Sequence, residues 1–154
     1  MSEENKKTTN NGTGKIGIVL VRGLVGVRED IKLTLKLLRL DRVNQAVVIE
    51  NNVINQGMLK KIKDYVTWGM ITDETYSSLV EARGEEFLGR TEDSKKKYSY
   101  KGFFDFNGKK YKKVFRLNPP RKGFGRKGIK RPFKTGGALG NRQGKINELI
   151  KSMI

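Results

Sequence analysis

Residues 15–22 read Lys-Ile-Gly-Ile-Val-Leu-Val-Arg, with apolar positions on both sides of a two-residue period. Ile16, Ile18 and Leu20 fall on one face and Val19 and Val21 on the other, the pattern of a strand in the middle of a sheet. After a loop at 23–27, residues 28–40 take up helical spacing. Ile31, Leu35 and Leu38 form one apolar stripe and Leu33, Leu37 and Leu40 a second, so this helix is expected to touch two neighbours. Glu29 and Asp30 stand in its first turn, where the positive end of the helix dipole favours carboxylates. Residues 45–50 are a β-branched run and predict a second strand. Asn55 is placed to cap a short helix with Met58, Leu59 and Ile62 on one side and lysines on the other. Val66-Thr67-Trp68 predicts a third strand. Thr72 then caps a helix with Asp73 and Glu74 in its first turn, Tyr76, Leu79, Val80 and Arg83 along it, and Gly84 at its end.

The pattern changes beyond residue 84. Asn107-Gly108 is a two-residue hairpin signal, since both residues tolerate the positive φ angles of such turns. Pairing outward from it sets Phe104 opposite Tyr111 and Tyr100 opposite Phe115, with these aromatics sharing a face with Lys109 and Lys113. Pro119-Pro120 follows, then a Gly-, Lys- and Arg-rich stretch to Gly144. Ile146, Leu149, Ile150 and Met153 recur at i, i+3, i+4 and i+7, so a short helix must lay one side on something. Docked on the first part of the chain, it would make the basic stretch an ordered loop pinned at both ends. The expected organisation is a disordered polar tail at 1–14, an α+β body at 15–84, and a basic extension at 85–154.

Charge sharpens this division. The chain has 154 residues, room for one domain with an appendage, and a formal charge of +17. Residues 1–94 balance, with as many basic as acidic side chains. Residues 95–154 hold nineteen basic residues against only Asp105 and Glu148, so the whole excess lies there. A surface merely kept soluble would intersperse the two signs. Cys and His are both absent, which excludes disulfides, thiolate metal sites, cysteine nucleophiles and an imidazole base. The longest apolar run, 16–21, is too short to span a bilayer, and no hydrophobic leader opens the sequence. The expectation is an intracellular protein whose partner is a polyanion, with no membrane, cofactor, metal or small-molecule substrate.

The chemistry concentrates in 116–142. Arg116, Arg121, Lys122, Arg126, Lys127, Lys130, Arg131, Lys134 and Arg142 occur there with no carboxylate among them. Guanidinium groups fork onto phosphates, and interleaved glycines let backbone N–H groups approach them. Phe124 and Phe133 have two readings: stacking on unpaired bases, or anchoring the loop to the body. No helix in this stretch is long enough to read a DNA groove, which favours an irregular RNA. A chromatin-type DNA-binding role is the alternative. Gly12-Thr-Gly14-Lys-Ile-Gly17 matches a dinucleotide fingerprint in letters only, because a strand follows it where a helix is needed. The acidic pairs Glu29-Asp30, Asp73-Glu74, Glu85-Glu86 and Glu92-Asp93 suit helix starts and hydrophilic connections. A Mg²⁺-dependent nuclease built from them would need an enclosed cleft that nothing in the pattern predicts.

These residues also resemble a family. Val21-Arg22-Gly23 with Gly26, Thr34-Leu35, Leu38-Arg39-Leu40, Asn44-Gln45-Ala46-Val47-Val48, and the run from Gly57 through Lys60-Lys61-Ile62-Lys63 to Trp68-Gly69 resemble the universal large-subunit ribosomal proteins called L thirty in bacteria and L seven in eukaryotes. Phe115-Arg116-Leu117-Asn118-Pro119-Pro120-Arg121, Ile129-Lys130-Arg131-Pro132-Phe133-Lys134 and Gly136-Gly137-Ala138-Leu139-Gly140 resemble the archaeal long form. Between Gly84 and Lys110 the chain departs from the family pattern and carries the hairpin in place of a helical insert. The resemblance implies a three-stranded sheet with two helices on one face, a reduced ferredoxin-like fold, and assembly on 23S ribosomal RNA beside other large-subunit proteins. Long forms also lie close to 5S ribosomal RNA. Carried over by position, Arg22, Arg39, Arg42, Lys60, Lys61 and Lys63 become candidate RNA contacts of the body.

Overall fold

A computed structural model describes residues 14–154; apart from Gly14, the polar segment expected to be disordered lies outside the described residues. In chain order the elements are β1 (Lys15–Leu20), α1 (Glu29–Leu37), β2 (Gln45–Glu50), α2 (Val53–Ile62), β3 (Val66–Met70), α3 (Asp73–Arg83), β4 (Phe103–Phe106), β5 (Lys109–Lys112), β6 (Phe115–Arg116), β7 (Gly140–Asn141) and α4 (Ile146–Met153). The sheet runs β6-β2-β1-β3-β7. β1 lies antiparallel between β2 and β3, with Ile18 opposite Val47 on one side and Trp68 on the other. The protein is therefore α+β, built on the expected three central strands. The extension lengthens the sheet at both edges, with β6 antiparallel to β2 and β7 parallel to β3.

The two-sided pattern of β1 sets up two apolar layers. Ile16, Ile18 and Leu20 face Leu35 and Leu38 of the first helical segment and Leu59 and Ile62 of α2. Val19 faces the opposite layer, with Leu79 and Val80 of α3 and Ile146, Leu149, Ile150 and Met153 of α4. An isolated helix of eight residues would not hold in water. Here four buried side chains fix it, each worth about 1.5–3 kcal/mol on leaving water. Gly69 permits the close approach on that side, since a Cβ there would lie 2.1 Å from the Gln143 carbonyl oxygen.

Several local expectations need correction. α1 ends at Leu37, ahead of residue 40, because Arg39 takes a left-handed φ of 62°. The Leu40 amide then donates to the Leu35 carbonyl and the Arg39 amide to Lys36, at 2.9 Å each, closing a Schellman motif without glycine. In the second stripe Leu40 is buried, but Leu33 and Leu37 are exposed; the helix does meet two neighbours, the sheet and α2, and meets both through its first stripe. Asn55 caps nothing; its amide donates to the Glu50 carbonyl at 2.8 Å, and Asn52 holds the cap position of α2. Thr72 does cap α3, accepting from the Thr75 amide at 3.4 Å. The Asn107-Gly108 turn has the expected positive φ angles, 49° and 77°, and Phe104 pairs with Tyr111. Tyr100 does not pair with Phe115, because β5 ends at Lys112 and Phe115 leaves the hairpin to join Ala46 in the main sheet. Phe104 and Phe106 instead pack on Tyr76 of α3, with ring centroids 6.2 and 6.0 Å away.

Candidate nucleic-acid interface

The basic stretch is folded, and its two ends are tied to opposite edges of the sheet. On the β6 side Leu117 donates to the Asn44 carbonyl at 3.1 Å and Asn118 to the Met153 carbonyl at 3.0 Å. On the β7 side the Arg142 amide donates to the Trp68 carbonyl at 2.8 Å. Between these ties the backbone folds on itself. The Arg131 carbonyl accepts from the amides of Ala138 (2.9 Å) and Leu139 (3.1 Å), and Lys127 donates to Gly136 at 3.2 Å. Ala138 and Leu139 are buried against Val21, which joins the loop to the end of β1. Gly137 is required at that crossing, since a Cβ would come within 2.1 Å of the Arg131 carbonyl oxygen.

One candidate cation points inward. Arg142 is 7% exposed, and its Nε donates to Thr67 Oγ1 at 2.9 Å while Thr67 Oγ1 donates on to the Gly140 carbonyl at 3.0 Å. Its Nη2 donates to the carbonyls of Phe124 and Ala138. Burial pushes its pKa below the ordinary arginine value. A phosphate-facing role for Arg142 is therefore corrected: its fork is filled by the loop's own backbone, which it stitches to β3. Phe124 is half-buried, with its ring packed against both the second layer and the Ala138–Leu139 cluster. Phe133 is half-buried, with the Arg142 guanidinium 4.8 Å and Lys145 Nζ 5.8 Å from its ring centroid. It lines an open cleft of about 710 Å³ together with Lys134 and Lys145. Lys145 was not among the sequence candidates; its only signal was its place just past the cluster, before the closing helix.

The remaining loop cations face outward. Arg121, Lys122, Arg126, Lys127, Lys130, Arg131 and Lys134 are all exposed, and none forms an ion pair among the described residues. Arg116 differs: its Nε lies 3.5 Å from Glu85 Oε1, while Lys112 Nζ lies 2.9 Å from Glu85 Oε2. The Lys112 hydrogen bond, with the charges of Lys112 and Arg116, holds the Glu85 carboxyl below the ordinary carboxylate range against its partial desolvation.

The body candidates are placed unevenly. Arg22 is half-buried, donating to the Asp64 carbonyl at 3.2 Å and lying 5.1 Å from the Tyr65 ring centroid. Arg39 donates to the Gly102 carbonyl at 3.0 Å and so braces the hairpin region. Lys61 sits 4.0 Å from Asp30. Arg42, Lys60 and Lys63 are exposed without ion pairs among the described residues, and Lys60 shares a second cleft with Trp68 and Asn141, next to β7. The structure thus gathers seven exposed cations on one loop and leaves the six body candidates scattered, three of them engaged by the protein itself. Among the described residues no group of three or more acidic side chains could hold a metal ion, and no helix is long and apolar enough to cross a membrane.

Comparison with known proteins covers the same ground. Residues 16–66 match the family described as ribosomal protein L30p/L7e. The large ribosomal subunit protein uL30 of Methanococcus vannielii is 45% identical over 150 residues, spanning 89% of this chain and 97% of its own length. The proteins of that name from Methanopyrus kandleri and Nanoarchaeum equitans are each 43% identical, over 87% and 89% of this chain and 100% and 97% of their own lengths. Since that identity runs through the body and the basic extension alike, the chain belongs to the L30p/L7e family of ribosomal proteins, in its archaeal form.

Proposed function

We propose that this protein is a non-enzymatic component of the large ribosomal subunit that holds ribosomal RNA in place by neutralising its phosphates. The body at 15–84 supplies a shaped support of low net charge, and the extension at 85–154 supplies the RNA contacts. The observation that carries this reading is the set of seven exposed cations, without ion pairs among the described residues, on a loop tied to both edges of the sheet. An irregular loop of this kind suits a folded RNA, and we assign it to 23S ribosomal RNA close to 5S ribosomal RNA. Arg121, Lys122, Arg126, Lys127, Lys130, Arg131 and Lys134 make the phosphate contacts, with Lys60, Lys63 and Arg42 as supporting cations of the body. The relatives are large ribosomal subunit proteins by name, which supports a place in that subunit.

Binding should depend steeply on salt: releasing counterions from about six phosphates gives a log–log slope of roughly −4 to −5. Titration of the full chain against large-subunit RNA at several salt concentrations tests this, with duplex DNA of equal length as competitor. A flat salt response, or duplex DNA competing on equal terms, would reject the reading. Loss of the protein from large subunits in a mild wash would count against it as well.

A further inference from the structure

Outside the basic loop, residues 91–100 fold into a small hairpin of their own. The Asp93 amide donates to the Tyr98 carbonyl at 3.0 Å and the Tyr100 amide to the Thr91 carbonyl at 2.9 Å, with Glu92 bridged to Ser99. Asp93 Oδ1 accepts from the Ser94 amide at 2.8 Å, and Lys96 turns the corner with a left-handed φ of 53°. The chain before and after it is joined by the stacked rings of Phe87 and Phe103, 5.1 Å apart.

Its tip carries Lys95, Lys96 and Lys97, with Lys101 below, all exposed and without ion pairs among the described residues. Beside them Tyr98 is 72% exposed and Tyr100 49% exposed. A lysine cluster alone would fit any polyanion. The two rings narrow the choice, because exposed aromatic faces next to cations suit bases that are not already stacked in a duplex. Residues i and i+2 of an extended segment lean to one side, about 6.8 Å apart. That is about twice the roughly 3.4 Å rise of stacked nucleotides, a spacing that suits bases drawn apart along a strand.

We propose that this hairpin is a second RNA-binding element, which takes an unpaired stretch or bulge by stacking bases on Tyr98 and Tyr100 while Lys95–Lys97 and Lys101 hold the phosphates. The proposal rests on the ribosomal RNA-binding reading above and adds a site to it. The test compares the full chain with a Tyr98→Ser, Tyr100→Ser double variant, using a short oligouridylate and a short RNA duplex as probes. The variant should lose about tenfold or more for the single strand and less than about twofold for the duplex. Tyr98→Phe with Tyr100→Phe should restore single-strand affinity, because the ring face does the work. In assembled large subunits, photo-crosslinkers placed at positions 98 and 100 should reach RNA. If the wild-type chain binds both probes and the serine variant loses nothing, this inference fails and the loop's role stands. If the wild-type chain binds neither, both fail. Crosslinks that reach a neighbouring protein would also overturn it.

Discussion

In the body, cations meet carboxylates: Lys32 lies 2.8 Å from Glu29, Lys15 3.8 Å from Asp73 and Lys61 4.0 Å from Asp30. In the basic loop seven side chains of one sign face solvent without such partners among the described residues, and Arg142, which does find several acceptors, finds them inside. The surface pairs of the body are each worth about 1 kcal/mol or less and leave its field weak. The loop builds a strong positive field on a backbone held by carbonyl–amide bonds and one buried guanidinium. Arginine thus serves two ends here: inward, it ties the loop backbone to β3; outward, together with lysine, it builds the field.

Breaking the outward half should have the largest effect. Replacing Arg121, Lys122, Arg126 and Lys127 together with alanine should weaken RNA binding by about three orders of magnitude at low salt and flatten the salt slope by roughly 3. Melting temperature should barely move, since these side chains touch no core. Breaking the inward half should reverse that profile. Arg142→Ala leaves Thr67 Oγ1 and the Phe124 and Ala138 carbonyls short of a donor, so stability should fall by about 3 kcal/mol and the melting temperature by roughly 10 °C. Arg142→Lys should rescue little, because an ammonium cannot span acceptors arranged for a planar fork. Both are read by calorimetry. Next in size, Gly69→Ala forces a methyl into the Gln143 carbonyl and should cost about 2 kcal/mol, with faster amide exchange in residues 140–153.

The smallest effect tests the border between the two regions, where Glu85 ties Lys112 and Arg116. Its lowered pKa means that folding favours the charged carboxylate. The contribution is present above the ordinary carboxylate range and is lost as pH falls through the lowered value. Glu85→Gln should remove that acid-side slope in a pH series of melting temperatures, with a change under about 1 kcal/mol at neutral pH.

Much of this was legible in the sequence where the pattern is periodic. The two faces of β1, the spacing of α4 and the Asn107-Gly108 turn each carry their geometry in residue order, and the charge imbalance marks the extension without any structure. What escaped has physical causes. Arg142 looks like its neighbours because composition says nothing of direction; a weak cue is its place just after the apolar pair Ala138-Leu139 and beside an edge strand. The end of α1 escaped because a left-handed arginine replaced the usual glycine signal. Leu33 and Leu37 read as a buried stripe, although the sheet and α2 both meet the helix through Ile31, Leu35 and Leu38. Counting outward from the turn puts Tyr100 in the main hairpin only if the ladder continues, and β5 stops at Lys112.

The parallel seat of β7 on β3 joins Thr67 to Gly140, 73 positions later. The layer under α1 and α2 closes with neighbours in the chain, whereas the layer under α4 waits for a distant segment to return. Distant contacts form late, because the connecting chain must first give up its freedom. Until residues 140–153 return, Val19, Ile71, Leu79 and Val80 lack part of their apolar cover.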